Sequence, residues 1–93
     1  MAMADEQSYE EMISALQTFV SQVSEQCEVM QSAGTDCVDN TNGDVAAEKS
    51  NARLQQCVSN IRSATESVQG VIAALQQELE DIREAARRAD DAD

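Results

Sequence analysis

Apolar residues recur along this chain in steps of four and three, with one interruption. In the first half the stripe runs Tyr9, Ile13, Leu16, Val20, Val23, Cys27 and Met30, and Gly34 and Cys37 stay in register. In the second half it runs Ala47, Leu54, Val58, Ile61, Thr65, Val68, Ile72, Leu75, Leu79, Ile82, Ala86 and Ala89, with Asn51 between the first two. Such an alternation is a heptad seam, which keeps one stripe of a helix turned toward a neighbouring helix. Between the stripes lies Asp36-Cys37-Val38-Asp39-Asn40-Thr41-Asn42-Gly43-Asp44, where turn formers cluster. The pattern predicts an all-α fold, an antiparallel two-helix hairpin in a single domain over 1–93. Helix 1 is expected over about 8–38, a bend at Asn42 and Gly43 within about 39–44, helix 2 over about 45–88, and a frayed acidic tail over 89–93.

Local signals refine this. Ser8 with Glu11 reads as a capping box opening helix 1. Gly34 weakens or ends that helix, placing its end between Ala33 and Asp39. Asp44, alone or with Thr41, caps helix 2. Met12 and Phe19 lie beside the first seam, and Cys57, Ala64 and Val71 beside the second. They widen each stripe, as suits a helix with more than one neighbour. Arg62–Glu66 and Glu84–Arg88 are opposite charges four apart, each worth a few tenths of a kcal/mol. Gly70, off the seam, either admits a close helix or sits idle on an exposed face.

The two arms differ in length. Folding at residue 42 sets Tyr9 opposite Leu75 and leaves the chain beyond Leu79 overhanging. That overhang, with Ile82, Ala86 and Asp90, is either a docking tail or a disordered acidic terminus.

The chain holds no Pro, His or Trp, one Tyr and one Phe, so almost nothing in it prefers strand. A hairpin of this size offers each helix one neighbour only, and a four-helix bundle with itself or with a partner is expected. The interface then falls on Leu16, Phe19, Val20, Val23, Ile61, Val68, Ile72 and Leu75, and Val68→Asp is expected to abolish partner binding.

Charge narrows the partner. The net charge is −12, and residues 1–43 hold eight acids and no base. Nucleic acid and anionic membrane repel such a surface; a protein partner, a basic one included, or a homodimer fits. The longest apolar run is Val71 to Leu75, too short for membrane insertion. The first residues carry neither a basic nor an apolar leader segment. The expected location is the cytoplasm, or the exterior by a route without a cleaved signal peptide.

Positions 27 and 57 lie equally far from residue 42, so Cys27 and Cys57 align across the arms. They form a disulfide in an oxidising compartment, or are small buried apolar side chains in a reducing one. With no His and no Cys-x-x-Cys, no zinc site is expected. Testing the bend as a calcium loop, with Gly43 sixth, puts Val38 first and Lys49 twelfth; both should be carboxylates, and the reading fails. No nucleophile has a base beside it and no glycine-rich phosphate loop occurs. The chain is read as a non-enzyme without cofactors.

In shape the chain resembles the small WXG-type (ESX) helical hairpins of bacterial type VII secretion. Thr41-Asn42-Gly43-Asp44-Val45-Ala46-Ala47 matches their bend motif at Gly43 and at the alanines, with Thr41 where the family has Trp. Ala86-Arg87-Arg88-Ala89-Asp90 has the spacing and the acid of their export signal, with Ala86 in place of the aromatic. The resemblance implies a divergent member that binds a larger effector, such as an LXG-type toxin, or a sibling hairpin. It implies a targeting role in the bacterial cytoplasm before export, with Ile82 to Asp90 as the export tail. The alternatives are a self-assembling structural coiled coil and a small cytoplasmic secretion cochaperone of the type III kind.

Overall fold

The computed structural model describes residues 2–91, and their side chains from Glu6 onward. It consists of α1 (Ala2–Asn40) and α2 (Val45–Asp91), packed antiparallel, with no strand among the described residues. Its extents are 74 × 15 × 14 Å. At 1.5 Å per residue, 47 residues of α2 account for nearly the whole length.

The seam is where the periodicity puts it. Ile13, Cys27, Val58, Ile72 and Leu79 are buried. Tyr9, Leu16, Val20, Val68 and Leu75 pack against the cluster of Ile13, Ile72 and Leu79. Cys27 and Val58 are each 1% exposed. Every four–three position from Tyr9 to Gly34 and from Ala47 to Ala86 is at least half-buried. The stripe ends at Cys37 and Ala89, which are exposed.

Three local expectations are corrected. The helix begins before Ser8, so Ser8 is an interior position and no capping box opens α1. The expected frayed tail is helical through Asp91; residues 92–93 lie outside the described residues. Gly34 does not end α1. It is buried in mid-helix, and a methyl there would lie 2.2 Å from Asn51 Oδ1 and 3.0 Å from Leu54 Cδ2. The missing side chain lets α2 approach closely.

The bend uses two left-handed residues, Asn42 (φ 55°) and Gly43 (φ 75°). Gly43 N–H donates to the Val38 carbonyl at 2.9 Å and Asn42 N–H to the Asp39 carbonyl at 3.2 Å. These two bonds close α1 as a Schellman motif, satisfying carbonyls the helix end would strand. Thr41, just past α1, serves the end of that helix, its hydroxyl donating to the carbonyls of Cys37 (2.8 Å) and Val38 (3.1 Å). Asp44 alone caps α2, accepting the Ala47 N–H at 3.3 Å. Asp44→Ala should therefore cost about 1 kcal/mol, read as a lower midpoint in a thermal melt; an unchanged midpoint would mean the cap contributes nothing.

Candidate partner-binding face

Two helices in antiparallel heptad register have two flanks, and here the flanks differ. Let the buried positions Ile13, Cys27, Val58, Ile72 and Leu79 be a, and their partners Leu16, Val23, Ile61 and Leu75 be d. Antiparallel packing then places the e positions of both helices along one flank and the g positions along the other.

The e flank is polar and tied across. Arg83 pairs with Glu10 and, at 3.9 Å, with Glu6. Arg62 donates to Gln31 Oε1 at 2.9 Å, and Gln31 Nε2 donates to Gln55 at 3.4 Å. Arg62 thus reaches across the arms instead of serving Glu66 on its own helix. The expected Arg88–Glu84 pair forms at 2.7 Å. The ion pairs among these are exposed or half-buried at the surface, and their value is a fraction of a kcal/mol each.

The g flank is uncharged over its central stretch. On α1 its g and adjoining c positions are Ser8, Met12, Ala15, Phe19, Gln22, Gln26, Val29 and Ala33, all exposed. On α2, over the stretch from Cys57 to Ala74, they are Cys57, Asn60, Ala64, Ser67, Val71 and Ala74, also all exposed. None of these central positions carries a charge; the same rows end at charged, exposed positions, Asp36 on α1 and Arg53, Glu78 and Asp81 on α2. Met12, Phe19, Val29 and Val71 are 52%, 48%, 60% and 51% exposed. A groove of about 340 Å³ opens here between Phe19, Gln22, Val23, Gln26, Cys27, Met30 and Ile61. A second groove, nearer the bend, is lined from both helices by Ala33, Gly34, Cys37, Ala47, Ser50, Asn51 and Leu54. It shows directly that the two g rows share one side.

This redistributes the expected interface. Leu16, Val20, Val68, Ile72 and Leu75 are spent inside the hairpin, where they pack with Ile13 and Leu79. Val23 and Ile61 keep an outer edge on the groove, and Phe19 stands free beside them. Val68→Asp would therefore damage the hairpin itself and says little about a partner. Met12, Ala15, Val29 and Ala74 were not among the expected interface residues. The sequence holds half of the signal, since Met12–Phe19 and Cys57–Ala64–Val71 each precede a seam residue a by one position; the other half is the pairing of the helices. In an antiparallel pair that shared letter means a shared flank.

The cysteine alignment is also corrected. All three cysteines are free; Cys27 is buried, Cys37 and Cys57 exposed. Cys57 is level with Cys27, but it sits one residue before Val58 and so about 100° round the helix from the seam. Val58 takes the buried place.

The docking tail is shorter than the bend position implied. Because α1 reaches back to Ala2, Arg83 finds Glu6 and Glu10 opposite it. Ile82 and Ala86 are half-buried and only Asp90 of that trio is exposed. Arg87 pairs with Glu80 at 3.3 Å on the same helix.

Among the described residues no helix is long and apolar enough to cross a membrane. Nor do three His, Cys, Asp or Glu side chains among them converge as metal ligands. A methyl at Gly70 would meet nothing within 4 Å, so no close approach occurs there within the hairpin.

Comparison with known proteins gives no match to a family model, to a curated protein or to a solved structure.

Proposed function

We propose that this chain is a non-enzymatic docking module whose g flank receives the helices of another polypeptide. The observation that carries this is the flank itself: bulky apolar side chains half exposed in a strip whose central stretch, Ser8 to Ala33 and Cys57 to Ala74, holds no charge. Apolar surface removed from water stabilises by ~25 cal/mol per Å², and a contiguous strip of this kind marks an interaction site. The polar e flank, already tied across, stays in water. Docking two helices on the g flank would complete a four-helix bundle.

The resemblance to type VII secretion hairpins supplies the finer reading. On it, the docked polypeptide is the helical region of a secreted effector or a sibling hairpin, and the chain assists its export. The acidic remainder keeps the complex soluble and suits contact with a basic surface elsewhere.

Affinity capture from the source cells, with native chain and Phe19→Asp as parallel baits, tests the docking reading. The native bait should retain a helix-rich protein and the variant should lose it, with helix content in circular dichroism unchanged. Equal retention by both baits would show that the flank is not the docking surface. Export has its own readout. The docked protein should leave the culture medium when the secretion ATPase is deleted, and its continued appearance there would remove the type VII reading.

A further inference from the structure

The same flank has the dimensions and shape of a self-pairing surface, and we infer that in the absence of another polypeptide it binds a second copy of this chain. This rests on the flank being the docking surface, as proposed above. The first argument is area. A compact monomer of 10.1 kDa exposes about 5,300 Å², whereas this chain exposes 6730 Å². The excess, about 1,400 Å² per chain, exceeds the ~800 Å² that each partner buries in a standard interface. The radius of gyration tells the same story: 21.1 Å against the ~12 Å expected of a compact chain of this length.

The second argument is charge. A pair of copies carries twice the −12 of one chain, and most docking faces would set acids against acids. The g flank is charge-free from Ser8 to Ala33 on α1 and from Cys57 to Ala74 on α2. Pairing through it leaves the acids of both copies on outer faces, in water, except Asp36, Glu78 and Asp81 at the ends of the flank.

The third argument is shape. Three of the flank's four bulky side chains are on α1, Met12, Phe19 and Val29; α2 presents Val71 among the smaller Cys57, Ala64, Ser67 and Ala74. A two-fold axis along the long dimension lays α1 of each copy on α2 of the other at the same level, large residues over small. The interface is then self-complementary, as a two-fold contact must be. A two-fold axis across the helices would instead stack α1 on α1, large on large, and leave α2 gapped against α2.

Light scattering on the isolated chain tests the inference across roughly a hundredfold range of concentration. The expected mass is twice the 10.1 kDa of one chain. Added salt should tighten the pair by screening the like charges, and Phe19→Asp should weaken it about a hundredfold with helix content preserved. The helix arrangement is read with native Cys57. In a Cys37→Ser background, Val29→Cys should give an oxidised inter-chain dimer on a non-reducing gel, and Ala74→Cys should not. A native chain that is monomeric throughout overturns the inference; if it still captures another protein through Phe19, the docking reading stands. A dimer indifferent to Phe19→Asp overturns both. A dimer linked through Ala74→Cys and not Val29→Cys overturns the α1-on-α2 arrangement.

Discussion

Val58→Asp should leave the chain largely unfolded at room temperature, seen as loss of the helical circular dichroism signal. Val58 is 1% exposed and stands at the level of Cys27, which is equally buried. A carboxylate there has no cation within the seam and would be desolvated without compensation, costing several kcal/mol or forcing the helices apart. A two-helix core with five buried apolar residues among those described has little stability in reserve; domains this small rarely exceed about 3–5 kcal/mol from the core alone. The same charge one residue along, Ser59→Asp, should leave helix content intact, because Ser59 is exposed. Unfolding by both variants, or by neither, would mean that the buried register is not the one described.

The second large effect is expected at Gly34. Leucine there must put its Cβ where Asn51 Oδ1 and Leu54 Cδ2 already stand, at 2.2 and 3.0 Å. Asn51 cannot yield without loss, since its Oδ1 accepts from Gln55 Nε2 at 3.0 Å. Overpacking of this kind costs about 3 kcal/mol, which should appear as a much lower thermal midpoint for Gly34→Leu. Gly34→Ala is more informative still. Its helix propensity gains about 1 kcal/mol, while its methyl collides with Asn51. Adding Asn51→Ala removes the colliding oxygen, so the double variant should melt well above Gly34→Ala alone. A double variant no more stable than the single one would show that the close approach at Gly34 is not what requires glycine.

Gly34 also shows where a sequence stops being legible. Read locally, a glycine near the end of a helical pattern is a terminator. Here it is a contact residue, a role that exists only once α2 lies against it. Ser8 is the converse case: the Ser8–Glu11 spacing is the correct local signature of a helix start, yet α1 runs through it. Chain upstream continues the helix, and a side chain inside a helix has no free N–H to cap. Cys27 and Cys57 were aligned correctly in level and wrongly in azimuth, because distance from the bend counts residues and ignores the 100° turn between neighbours.

What the sequence determined by itself is the class of object: two helices, one bend, and the identity of nearly every seam residue. The four–three spacing is a property of each helix alone, and Asn42 and Gly43 are among the few residue types that tolerate left-handed backbone. What only the tertiary structure decided is how the rest of the surface divides. Whether Phe19 faces the side of Val71 or the side of Arg62 depends on the direction and level at which α2 returns. The antiparallel register turns two scattered rows into one strip, uncharged over its central stretch, and gathers the cross-arm hydrogen bonds on the other side. A flank is shared between two helices, and neither helix encodes it alone.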